Sequence, residues 1–84
     1  MKPIRLSRHA QAYFAMRGFT VEEVEEVIRT TEWQLNKRGR FEGRKDFIYG
    51  EEWHGRQYEF KQVRPIFVEE SDEIVVITVY TYYF

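Results

Sequence analysis

The stretch Ser7-Arg8-His9-Ala10-Gln11-Ala12-Tyr13-Phe14-Ala15-Met16-Arg17-Gly18-Phe19-Thr20-Val21-Glu22-Glu23-Val24 writes a helix, a stop and a second, capped helix. Ser7 is a natural N-cap, because its hydroxyl can accept from the free amides of a first turn. The helix predicted after it runs from about residue 8 to residue 17. Ala10, Tyr13 and Phe14 lie at i, i+3 and i+4, which sets them on one buried stripe. Gly18 ends the helix, since glycine takes the left-handed conformation past a helix end without steric cost. Thr20 and Glu23 then make a capping box. Val21, Val24, Val27 and Ile28 form an apolar face, while Glu22, Glu25, Glu26 and Arg29 face water. Only Gly18-Phe19-Thr20 joins the helices, so a tight pair is expected.

After Thr31 the pattern becomes strand-like. Residues 33–35 predict a first short strand, and residues 41–53 contain a second centred on Asp46-Phe47-Ile48-Tyr49. His54-Gly55 reads as a turn. Tyr58–Phe60 and Val63–Val68 predict a third strand. It should be interrupted or edge-placed near Pro65, because proline cannot donate to a ladder. Ile74-Val75-Val76-Ile77-Thr78-Val79-Tyr80 is apolar on both faces, as a central strand should be. The expected fold class is α+β. An N-terminal helix pair packs on one face of a three- to four-stranded, mostly antiparallel sheet, in a single domain over residues 1–84.

Side chains alternate along a strand, so Ile74, Val76, Thr78, Tyr80 and Tyr82 should share one face of the last one. Val75, Ile77 and Val79 should share the other. The all-aliphatic face is expected to meet the helices. That leaves Thr78 and Tyr80 where a ligand could sit, although β-propensity alone would also account for them.

The chain has no cysteine, which excludes disulfides, a thiolate nucleophile and a Cys-based metal site. His54 follows Glu51-Glu52-Trp53, but two liganding groups without a third make no metal site. No metal and no cofactor are expected. No apolar run reaches membrane-spanning length and no charged-then-apolar signal opens the chain, so a cytoplasmic protein without a membrane partner is expected.

The net charge of −1 conceals segregation. Residues 1–17 carry Lys2, Arg5, Arg8 and Arg17 with no acid, whereas residues 18–28 carry Glu22, Glu23, Glu25 and Glu26 with no base. Residues 37–45 (Lys37-Arg38-Gly39-Arg40-Phe41-Glu42-Gly43-Arg44-Lys45) hold five cations in nine residues. A globally basic nucleic-acid binder is not indicated, but the first helix and the middle of the chain could build a local basic patch. The glycine-interleaved cluster could follow a phosphate backbone, with Arg40 and Arg44 in contact, or could simply be a solvated turn. His9 is the best candidate for acid/base chemistry, because an imidazole exchanges protons near neutral pH. The same histidine could instead cap the helix or hydrogen-bond to the sheet. His9 and Arg17 are separated by about 12 Å along a helix axis, so they share a substrate only if it is extended or if their long side chains converge. Arg17 could also cap the last carbonyls of its helix.

The order S-x-H-A, R-G-[IF]-[ST]-x-E-x-V and a final V-x-T-V-Y resembles a small bacterial family of unknown function. That family is grouped with RelE/ParE and BrnT-like toxins and colicin D-like tRNA nucleases. The matching residues are Ser7, His9, Ala10, Arg17, Gly18, Thr20, Glu23, Val24, Val76, Thr78, Val79 and Tyr80. The chain departs from the pattern at Tyr13, where an arginine is common, and at Phe14, where methionine is. The resemblance implies a RelE/BrnT-like fold and a metal-independent RNase of a type II toxin-antitoxin-like system. His9 would take the acid/base role, Arg17 a phosphate role and Thr78 the strand hydroxyl. Apart from the resemblance, the basic residues Arg8, Arg40 and Arg44 and the strand-face Tyr80 are the candidate substrate contacts. RNA and a cognate antitoxin-like protein are the implied partners. The alternative is a non-catalytic RNA-binding or protein-interaction module of the same fold. The aromatic end Tyr80, Tyr82, Tyr83 and Phe84 could also seat a second copy as a homodimer.

Overall fold

In the computed structural model, which describes residues 1–84, Ser7 caps a helix, but a short one. Its hydroxyl accepts from the Ala10 amide at 3.1 Å. Helix α1 (Arg8–Ala12) stops at Tyr13, whose backbone (φ −102°, ψ 5°) leaves the helical region. Helix α2 (Phe14–Arg17) adds one turn, and Gly18 closes it in the left-handed conformation at φ 73°. Helix α3 (Val21–Thr30) carries the full capping box: the Thr20 hydroxyl accepts from the Glu23 amide, and the Glu23 carboxylate accepts from the Thr20 amide.

The strands are β1 (Ile4–Leu6), β2 (Gln34–Leu35), β3 (Phe41–Glu42), β4 (Lys45–Trp53), β5 (Arg56–Glu69) and β6 (Ile74–Tyr83). They form one six-stranded sheet in the order β1-β6-β5-β3-β2, with β4 alongside β3 on the same flank of β5. Every pairing is antiparallel except β1 with β6. The expected helix pair on a three- to four-stranded sheet is therefore wrong. The protein is mostly β, with 48% of residues in strands and three short helices. Three differences account for this. Ile4–Leu6, which lies outside every predicted strand, pairs with β6; the strand expected within residues 41–53 divides into β3 and β4; and the segment 8–17 breaks in the middle instead of forming one helix.

Strand β5 also departs from expectation. It runs through Pro65 without interruption and sits centrally. The reason is local. The Pro65 carbonyl accepts from Gly43 at 3.4 Å, so the edge of Pro65 that lacks an N–H faces the gap between β3 and β4. No ladder donor is needed where the neighbouring strand is itself broken.

The last strand holds a β-bulge. Ile66 pairs with Thr78, but the next residue, Phe67, pairs with Val76, so Ile77 is the extra residue. A bulge shifts the side-chain phase by one. Ile74, Val76 and Val79 consequently all enter the core, and the expected inward face of Val75, Ile77 and Val79 is corrected. Beyond the bulge, Thr78, Tyr80 and Tyr82 point to the opposite face, together with their partners Ile66, Arg64 and Gln62. Ser7 ties this point down from far away in sequence. Its amide donates to the Val76 carbonyl at 2.9 Å, and its hydroxyl donates to the Ile77 carbonyl at 3.0 Å.

The core lies between the helices and one sheet face. Ala10, Phe19, Val24, Val27 and Ile28 meet Val63, Phe67, Ile74, Val76 and Val79. The other face of the sheet is open. No helix is long and apolar enough to cross a membrane.

Candidate functional site

Strand β1 covers β6 only as far as Val76, so the edge of β6 beyond it has no strand partner. Helices α1 and α2 run along this edge. Arg17 reaches around it. Its Nη1 donates to the Val79 carbonyl at 2.8 Å and to the Thr78 hydroxyl at 3.2 Å. One guanidinium thus satisfies a ladder carbonyl and arrives on the open face. The end of α2 is held rigid for this purpose. Thr81 and Tyr83 hydroxyls donate to the Arg17 carbonyl. The buried Lys61 ammonium donates to the Gly18 carbonyl at 2.9 Å and pairs with Glu23 at 2.8 Å. Burial, followed by the nearby Tyr49 and Glu23, pushes the Tyr83 phenol up to about 12, so it keeps its proton and continues to donate. A side chain at Gly18 would collide with Tyr83 and Trp53, which is why glycine stands there.

From α1 to β5 the side chains form a continuous ladder. His9 is exposed and packs on Tyr13 with ring centroids 4.9 Å apart. The Arg17 guanidinium lies 3.9 Å from the Tyr13 centroid and 5.1 Å from that of Tyr80. Arg64 lies 5.2 Å from Tyr80 and 5.4 Å from Tyr82. From Tyr13 to Tyr82, guanidiniums and aromatic rings therefore alternate, each within cation–π range of the next, and the His9 ring extends the row at one end.

Beside this ladder a groove of about 270 Å³ crosses the open face from Thr78 and Tyr80, past Arg64, to Glu42, Arg40 and Arg38. Asn36 shapes its far wall, because its side-chain oxygen accepts from the Arg38 and Arg40 amides. Glu42 lies 3.7 Å from the Arg64 Nε, too far for a hydrogen bond, and that buried Nε has no other partner. A smaller cleft of about 170 Å³, containing Arg44 and Gly43, shares Glu42 and Arg64 with the groove.

Of the residues singled out in the sequence, His9, Arg17 and Tyr80 fall on the ladder, Thr78 is bonded to Arg17 and lines the groove, and Arg40 lines the groove as well. Arg44 lies in the neighbouring cleft. Arg8 is exposed on α1 and lines neither. The reading missed Tyr13, Arg64 and Glu42. Tyr13 packs against the core, as its place on the stripe predicts, and its ring also fills the space between His9 and Arg17. Arg64 carried a usable signal: it shares a strand face with Gln62 and alternates with the apolar positions Val63, Pro65 and Phe67, which turn inward. Glu42 carried none, since one acid among cations reads as charge balance. No three His, Cys, Asp or Glu side chains come together in a way that could hold a metal ion.

No curated protein and no solved structure matches this chain. One family does, over residues 6–81, a span that includes the ladder from His9 to Tyr80 and the whole groove. The chain belongs to that family, described as a domain of unknown function (DUF4258).

Proposed function

We propose that this domain binds single-stranded RNA across the open face of its sheet and cleaves it without a metal, as a toxin-like ribonuclease of a type II toxin-antitoxin-like system. The observation that carries this reading is the alternating ladder His9, Tyr13, Arg17, Tyr80, Arg64, Tyr82. Aromatic rings stack on unpaired bases, and guanidiniums meet the phosphates between them. The resemblance of the His9 and Thr78-Val79-Tyr80 segments to RelE/ParE, BrnT-like and colicin D-like proteins adds support for cleavage. In the proposed reaction His9 takes the proton of a ribose 2′-hydroxyl. The 2′-oxygen then bonds to the adjacent phosphorus as the P–O5′ bond breaks; the 5′-oxygen takes its proton from solvent water, and the His9 imidazolium returns its proton to solvent. Arg17 and Arg64 stabilise the charge on the pentavalent phosphorus. Arg17 has donors to spare, because only its Nη1 is engaged by Thr78 and Val79. A protein inhibitor covering this face would be the partner that the toxin reading implies.

The test is incubation with total bacterial RNA in EDTA beside His9→Ala. Cyclic-phosphate ends with the native protein, and a loss of at least about a hundredfold in the variant, are expected. Equal cleavage by both would remove His9 from the reaction. A second reading, an RNA-binding module without catalysis, is favoured by the Tyr13 ring that separates His9 from Arg17. Tight RNA binding with no cleavage would establish it instead.

A further inference from the structure

The ladder and the basic residues account for affinity for any single strand, but they leave one groove residue unexplained. Glu42 is a carboxylate among Arg38, Arg40 and Arg64, on the face proposed to hold a polyanion. A bare phosphate site would be stronger without it. Its carboxylate makes no hydrogen bond, and its one ion pair, to Arg64, is long at 3.7 Å. Both oxygens are therefore free to accept from a ligand. Tyr80, at 39% exposure, supplies an aromatic wall to the same groove. The volume, about 270 Å³, admits one planar base with its sugar.

We infer that this groove is a guanine-selecting subsite, in which Tyr80 stacks on the base, Glu42 reads its Watson–Crick edge, and Arg38 and Arg40 contact its acceptor edge or phosphate. This rests on the RNA reading above and deepens it. The selection follows from donor and acceptor patterns. Guanine alone presents two adjacent donors, N1–H and N2–H, which match the two oxygens of an ionised carboxylate. Adenine and cytosine place a lone pair beside their amino group, which the carboxylate repels. Uracil has one donor flanked by two acceptors. Guanine O6 and N7 in turn accept from guanidinium, and neither Arg38 nor Arg40 is in an ion pair.

The experiment measures binding of the full chain to 2′-O-methyl pentanucleotides that differ only in the central base, in a uridine background. The 2′-O-methyl group blocks cleavage, so binding is read alone. The guanine strand is expected to bind at least about tenfold tighter than the adenine, cytosine and uracil strands. Inosine, which lacks the N2 amine, should forfeit most of that preference, and Glu42→Gln should abolish it. The inosine result decides the matter even if the variant folds poorly. Equal affinity for all four bases would overturn the subsite and leave the RNA surface standing. No binding of any strand would overturn both. A guanine preference that survives both inosine and Glu42→Gln would remove Glu42 from the recognition.

Discussion

Tyr83 sits where the end of α2 meets β4 and β6, stacked on Trp53 with centroids 4.8 Å apart and donating to the Arg17 carbonyl. Its phenol titrates at about 12 in the fold against an ordinary 10.0. The raised value fixes the sign of a pH effect. Below pH 10 the phenol is protonated whether the chain is folded or not, and its contribution is complete. Between about pH 10 and about pH 12 the unfolded chain loses the proton first, so stability falls as pH rises. Urea midpoints should therefore decline across that window, and more gently in Tyr83→Phe. An equal decline in the variant would assign the effect to other groups. Of the residues at this junction, Gly18 was legible in the sequence as a helix stop. Lys61 and Tyr83 were not, because a lone lysine in a strand and one tyrosine among several carry no mark of a partner far along the chain.

At the level of elements, the bulge at Ile77 decides which residues of β6 reach the groove. Without it, Thr78 and Tyr80 would share a face with the buried Ile74 and Val76. Ser7 holds the bulge while also capping α1. Ser7→Ala removes a cap and a sheet contact together, and should cost about 1–2 kcal/mol in chemical denaturation. Amide exchange at Ser7 and Ala10 should quicken, while α3, which has its own capping box, should keep its protection. Loss confined to α1 with no change in global stability would mean that the bulge stands without Ser7. The capping box of α3 and the stop at Gly18 were readable because each is written within a few adjacent residues. The break at Tyr13 and the continuous run through Pro65 were not. Both depend on what lies alongside, an unpaired β6 edge in one case and the β3–β4 gap in the other.

Across the whole molecule, one layer of helices covers one sheet face, and charge follows that division. Glu22, Glu25 and Glu26 belong to α3, while Arg38, Arg40 and Arg64 line the groove on the open face. A net charge near zero therefore coexists with a basic surface. The core that supports this arrangement is thin. Phe67 is fully buried at its centre, with Trp33 edge-on at 5.0 Å. Phe67→Ala should cost about 3–5 kcal/mol, a large share of the total for a domain this small, and the thermal midpoint should drop accordingly. A change within about 1 kcal/mol would show that the core collapses to fill the space.

By itself the sequence determined the local signals: the caps at Ser7 and Thr20, the stop at Gly18, the His54-Gly55 turn and the strength of the last strand. These arise from backbone sterics and hydrogen bonds within a few residues. It also marked His9, Arg17, Thr78 and Tyr80 as chemically notable. Only the tertiary structure decided that β1 joins the sheet, that β6 changes phase at Ile77, and that Arg17 crosses a strand edge to meet Tyr80 and Arg64. The β1–β6 pairing and the Arg17–Thr78 contact join residues sixty or more positions apart, and the phase change is set by the register between β5 and β6. A pattern read along the chain has no access to which strand edge is left open or which side chain will fill it.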